Sequence, residues 1–297
     1  MFAIFALFLP IIALIALGYA LRAWHFLPEV GWSVLEKLVY FLFFPALLFV
    51  TLASRAMEWQ AGAKMLLVGA GFVGSGILLG ILAGFWLKPA PRALASVFQC
   101  GFRFNAYIGM TLMATLWGAD GIAAFALLAG LTIPLVNVAS VWALARHGAM
   151  SLPRQLLQNP FILATFAGLG WSALRLPLPE SVQTTLMFLG EPALPLGLLA
   201  TGAGLSVHLT PSQLTLILYF AGVKLLVLPA VALGLGLWLG ISGVYLAAAV
   251  VMAALPAAAS ASILASRMGG DGPLVATTVG IGTLLAMFTV PLWVHWL

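Results

Sequence analysis

Apolar stretches long enough to cross a bilayer follow one another from end to end of this chain, parted only by short polar breaks. A helix needs about 20 apolar residues to span a hydrocarbon core about 30 Å thick. Backbone groups in lipid must be satisfied within the protein, so a chain of this kind folds as a bundle of membrane helices. Only 6% of its 297 residues are charged and 64% are hydrophobic, whereas soluble domains carry about a quarter charged residues. The breaks mark candidate spans at 2–24, 31–53, 62–87, 92–117, 119–146, 158–175, 181–207, 212–239, 242–266 and 273–296. No loop between them is long enough to fold alone.

Several functions are excluded by what is missing. Cys100 is the single cysteine, so no intramolecular disulfide, thiolate zinc site or cysteine-pair redox centre can form. The net charge of +5 comes from basic residues scattered singly over short loops, which is no footprint for nucleic acid. His25, His147, His208 and His295 fall at span ends without metal-ligand spacing. Neither a phosphate-binding loop nor a dinucleotide fingerprint is present, and no deep histidine is available for a catalytic triad. The chain is expected to be no enzyme and to use no cofactor. Its first span has no basic region ahead of it and is too long for a cleaved leader.

Orientation follows from the basic residues. With the N-terminus outside, Arg22, Lys88, Arg92, Arg146, Arg154 and Arg267 fall on inward loops, and Arg55, Lys64 and Arg175 on outward ones. The positive-inside rule favours that arrangement, with both termini outside. Lys37, near an inward end, can snorkel. Arg103 and Lys224 remain, both near mid-membrane.

The two halves of the chain look related. A shift of 150 aligns Pro10 with Pro160, Ile12 with Ile162, Gly18 with Gly168 and Pro45 with Pro195; a shift of 151 aligns Asp120 with Asp271 and Gly121 with Gly272. Five spans per half make the second run opposite to the first, an inverted repeat. The expected organisation is a five-helix repeat over 1–146, a cytoplasmic linker over 147–157 and a second repeat over 158–297. The same shift sets Asn105 of "GFRFNAYIG" against Pro256 of "AALPAAASAS". Asparagine caps a new helix well and mid-helix proline breaks one, so both spans are candidate discontinuous helices. Paired breaks at matching places mark a transporter's binding site, and half-helix N-termini there attract anions. Pro256 itself fits the first turn of a restarted helix.

Arg103 sits about 16 Å into its span, where a cation costs roughly 2.5–3.5 kcal/mol and must face a cavity, a counter-ion or free carbonyls. It is a candidate contact for an anionic substrate, or else a structural partner holding the break together. Asn105 caps the following half-helix or offers its amide to a ligand; an ordinary interhelical hydrogen bond is the alternative. Ser260 and Ser262 lie within reach of the second break. Glu191 and Lys224 are the other deep charges, either a proton-responsive network or an ion pair with each other. Arg103 and Lys224 against Glu191 leave one deep positive charge in excess, which favours an anion.

The runs "FQCGFRFNAYIG", "FPALLF", "NPFILATFAGL", "LPLGLLATGAGL", "KLLVLP" and "ALPAAASASILASRMGGDGPLVATTV" together resemble bacterial members of the auxin efflux carrier family, relatives of the plant PIN-type auxin transporters. The resemblance covers essentially the whole chain. It implies an all-α integral membrane protein of ten transmembrane helices in a 5+5 inverted repeat, with two broken, crossing helices, as in bile acid sodium symporters and sodium/proton antiporters. Spans one, two, six and seven would form a scaffold, often homodimeric, and the other six an elevator-like transport domain. Asn105 and Pro256 would bind substrate at the crossing, with Pro45 beside the pocket. Where relatives carry proline this chain has Thr111, which predicts a milder first break. The implied function is secondary active transport of small organic anions, carboxylates such as malonate or auxin-like indole-3-acetate, with proton or sodium coupling, in the bacterial inner membrane. A channel or receptor for organic anions without alternating access is the alternative.

Overall fold

The computed structural model describes residues 2–54, 59–145, 158–205 and 209–297. Arg55, Arg146, His147, Arg154, His208 and the expected linker over 147–157 lie outside the described residues. All the regular structure among the described residues is helical, with no strand.

The first half contains α1 (Phe2–Ala23), α2 (Glu29–Leu38), α3 (Phe44–Ala53), α4 (Trp59–Trp86), α5 (Pro91–Val97) and α6 (Ala106–Ala145). The second contains α7 (Pro160–Ala173), α8 (Glu180–Gly190), α9 (Ala193–Ala203), α10 (Pro211–Gly222), α11 (Leu228–Trp238), α12 (Gly243–Ala254), α13 (Ser260–Arg267) and α14 (Gly272–His295). Six segments are long and apolar enough to cross a membrane: Glu29–Ala53, Gly62–Trp86, Asp120–Ala145, Glu180–Ala203, Pro211–Trp238 and Gly272–His295. Four further apolar helices are shorter, Phe8–Ala23, Ile108–Gly118, Ile162–Ala173 and Gly243–Ala254. The chain is therefore a multi-pass membrane protein.

Local chemistry sets the joints. Thr210 and Gln213 form a reciprocal capping box ahead of α10, and the Asp271 carboxylate accepts the Leu274 N–H at the start of α14, each satisfying donors that a helix start leaves open. Prolines explain two widened turns. Pro45 and Pro229 have no N–H to offer the preceding turn. Just ahead of each, the helix opens into a π turn, Val39–Phe43 joining α2 to α3 and Val223–Val227 joining α10 to α11. The carbonyl of Leu225, which Pro229 cannot reach, accepts the indole N–H of Trp293 at 2.8 Å.

Matched features recur in the two halves. His25 ends α1 with φ 54° and Arg175 ends α7 with φ 51°, 150 positions apart. Gly118, which bends α6, and Gly269, after α13, both have positive φ and stand 151 apart. At Gly18 the backbone of Leu199 comes so close that no Cβ fits; at Gly168 the backbone of Phe49 does the same, and both partners obey the shift of 150. Close approach of this kind, rather than burial from water, holds helices together in lipid. The centre of the molecule is α12, where Ala247 to Leu255 are all buried. The outer surface carries large exposed apolar side chains, among them Leu9, Phe188 and Phe288, with Trp24, Trp238 and Trp296 at helix ends, where amphipathic indoles favour the membrane–water boundary.

Candidate functional site at the crossing of two broken helices

Two interruptions meet at the middle of the molecule. After α5 a single 3-10 turn, Phe98–Gly101, ends the helix, and Arg103, Phe104 and Asn105 run on without helical structure to α6. After α12 the chain is non-helical from Leu255 until α13 begins at Ser260. The Asn105 N–H donates to the Pro256 carbonyl at 2.9 Å, which ties the two breaks together.

The residue types account for each break. Leu255 precedes a proline and is driven out of the helical region, to φ −65° and ψ 146°. Helix therefore does not resume at Pro256, as the sequence suggested, but four residues later; the proline sits within the break and lends its carbonyl to the crossing. Asn105 caps α6 as expected, its side-chain oxygen accepting the Ile108 N–H at 3.4 Å. Despite Thr111, the first break is a full interruption rather than a mild one.

Arg103 is 5% exposed. Its Nη2 donates to Asn137 Oδ1 and to Ser260 Oγ, both at 3.2 Å, and its Nη1 is buried with no hydrogen-bond partner among the described residues. Asn137, on α6, donates in turn to Thr165 Oγ1 of α7 at 3.0 Å. Beside the guanidinium lies a cavity of about 100 Å³, bordered by Arg103, Asn105, Asn137 and Ser260 and walled by apolar side chains that include Phe44, Leu47 and Leu194. One water needs about 10–15 Å³ on this measure, so the space holds a small solute. Among the described residues no acidic side chain lines it, and no cluster of His, Cys, Asp and Glu could hold a metal ion.

Arg103, Asn105 and Ser260 thus come together as expected. Pro45 is not among the cavity-lining residues; its neighbours Phe44, Leu47 and Leu48 are. Pro256 borders a separate, much smaller space together with Lys224 and Cys100. Lys224 is 2% exposed and donates to the backbone carbonyls of Met252 and Ala253, whereas Glu191 is exposed at the joint of α8 and α9. The ion pair weighed for those two is not formed. Sequence reasoning passed over Asn137, although an amide inside the apolar run "LTIPLVNVAS" was signal enough. It also passed over Thr201, whose hydroxyl hydrogen-bonds that of Ser262 at 2.9 Å beneath the second break.

The model of a membrane transport protein family matches this chain twice, over residues 3–145 and 143–294. The chain belongs to that family. Two relatives align along nearly their whole length with this transporter family member. One, an "Uncharacterized transporter" of Methanothermobacter thermautotrophicus, is 25% identical over 96% of this chain and 95% of its own. The other, a "Putative malonate transporter" of Rhizobium meliloti, is 27% identical over 96% of this chain and 92% of its own. The auxin efflux carrier resemblance is thereby upheld, and transport rather than catalysis is the role of the family.

Proposed function

We propose that this protein is a secondary active transporter of small organic anions, and that the Arg103 cavity is where the carboxylate binds. The observation that carries the reading is the buried guanidinium with one nitrogen unpartnered, beside a cavity at the meeting of two broken helices. A buried polar group left unpaired costs about 1–3 kcal/mol, and more when charged; a carboxylate beside Arg103 recovers that energy through a charge-assisted hydrogen bond. Asn105 and Ser260 border the same space with polar groups. The relative described as a malonate transporter favours a small carboxylic acid.

The chain works as ten crossings in a 5+5 inverted repeat, with α1, α2–α3, α7 and α8–α9 as scaffold and the remaining helices as a transport domain that moves as an elevator. The twofold family match, the paired helix ends at His25 and Arg175 and the paired contacts at Gly18 and Gly168 support this. The protein resides in the bacterial inner membrane as a homodimer with both termini outside, and proton or sodium gradients drive it.

The test is uptake of labelled malonate, malate, lactate and indole-3-acetate into proteoliposomes, with Arg103→Gln and Asn105→Ala beside the unaltered protein. One or more acids should accumulate against a gradient, and Arg103→Gln should abolish it. Uptake of every acid no faster than into empty liposomes refutes the reading.

A further inference from the structure

Two rods leave the Arg103 cavity in the same direction. One is α13, which starts at Ser260, on the guanidinium, and ends at Arg267. The other is the continuous α2–α3 rod, traced backwards from Phe44 on the cavity wall through Tyr40 to Glu36 and Ser33. At 1.5 Å per residue both rods are roughly 10–12 Å long from the cavity to this point, and there they are bridged. Arg267 Nη2 lies 3.2 Å from Glu36 Oε2, and the same nitrogen donates to the Ser33 carbonyl. Beside the bridge, Asn159 at the head of α7 donates to the Tyr40 hydroxyl at 2.9 Å and contacts Met268 Sδ at 3.9 Å.

Among the described residues there are two ion pairs. One, Arg22 with Glu29, joins exposed neighbours in sequence. The pair of Arg267 with Glu36 instead spans 231 positions and is largely shielded, the two side chains being 16% and 27% exposed. A surface pair contributes little, whereas removing one partner of a shielded pair leaves an uncompensated charge away from water.

We propose that Arg267, Glu36 and Ser33 form a latch that closes the cargo route at the Arg267 end of the molecule, and that opening of this latch controls release on that side. This inference rests on the transport reading of the Arg103 cavity. A solute leaving toward this end passes between α13 and the α2–α3 rod, across the line of the ion pair. Because α13 has only two turns, with Ser260 at the cargo and Arg267 at the latch, a displacement of its first residue by a bound anion is carried to the other end. Occupancy of the site and closure of the route are thereby linked through one short rigid element.

The test does not need the identity of the cargo. Ala258→Cys places a reporter thiol on the cavity wall of a Cys100→Ser protein, and a membrane-impermeant maleimide is applied from each side of oriented vesicles. With the latch intact, labelling from the Arg267 side is slow. Glu36→Gln should raise it several-fold, and the swap Glu36→Arg with Arg267→Glu should bring it back. In a second arm, cysteines replacing Glu36 and Arg267 are joined by a bifunctional thiol reagent; labelling from that side should stop, and cleavage of the reagent should restore it. Labelling that Glu36→Gln leaves unchanged or lowers, or that continues through the cross-link, overturns the latch. No uptake of any acid by the unaltered protein, with normal control of labelling, would overturn the transport reading and with it the cargo role of the latch, leaving only its control of access to the Arg103 cavity.

Discussion

Lys224 supplies the donor that Pro256 withholds. In an unbroken helix the Met252 carbonyl would accept from residue 256, which is a proline without an N–H, and the Ala253 carbonyl would accept from Ala257, which lies past the point where α12 ends. Both carbonyls take the Lys224 ammonium instead, at the negative end of the α12 dipole. A costly break is stabilised by the side chain of a lysine from a neighbouring helix.

Replacing Lys224 by methionine keeps much of the side-chain volume and removes that donor. Two buried carbonyls are then left unpaired, at about 1–3 kcal/mol each. The variant should unfold at a distinctly lower temperature in detergent, and uptake should fall with it. An unchanged melting midpoint would show that the ammonium is not what holds the break.

Asn137 orients Arg103 through the 3.2 Å bond to Nη2 and is itself held by Thr165. In Asn137→Ala the guanidinium keeps Ser260 and gains freedom to turn. A hydrogen bond to a charged group contributes about 1.5–3 kcal/mol, so half-saturation for the transported acid should rise about ten- to a hundredfold, with the maximal rate less affected. Concentration-dependent uptake measures both. Equal loss in Thr165→Val would show that the effect passes along the chain of bonds.

How much of this could be read beforehand depended on the kind of signal. Span positions were legible because lipid fixes a helix length and every polar break stands out against an apolar background; the boundary at Gly118 is an example. The convergence of Arg103, Asn105 and Ser260 was legible because a stranded cation and paired helix breakers have few places to go. The partner of Lys224 was not, since a backbone carbonyl freed by a proline leaves no mark on its own side chain. Depth along a span also says nothing of which way a residue faces. Glu191 and Lys224 both read as deep charges in the sequence, yet one is exposed and the other buried. Asn137 escaped notice because its helix is unbroken around it.

The bond from the Asn105 N–H to the Pro256 carbonyl separates two roles of Asn105. Asn105→Ala removes the side-chain cap of α6 and keeps the backbone donor, so the crossing survives at a cost of about 0.5–2 kcal/mol. Asn105→Pro keeps a helix start that proline tolerates but removes the N–H, leaving the Pro256 carbonyl without this donor. Thermal unfolding should rank the unaltered protein first, Asn105→Ala second and Asn105→Pro last. Both variants lack the cap, so the reverse order of the two would mean that the crossing bond does not secure the break.

Gly18 and Gly168 provide a test of the packing between α1 and α9 and between α3 and α7. An added Cβ meets backbone atoms of Leu199 in the first case, and backbone atoms of Phe49 and the Cβ of Leu52 in the second, and backbone cannot step aside as a flexible side chain can. Overpacking of this kind costs about 1–3 kcal/mol. Gly18→Ala and Gly168→Ala should each lower the melting midpoint by similar amounts, because the two contacts are counterparts under the 150-residue shift. Gly74→Ala, where nothing lies within 4 Å of the new Cβ, should be neutral or slightly stabilising, since alanine favours the helix. If all three behaved alike, the close approach of α1 to α9 would not be what fixes these helices.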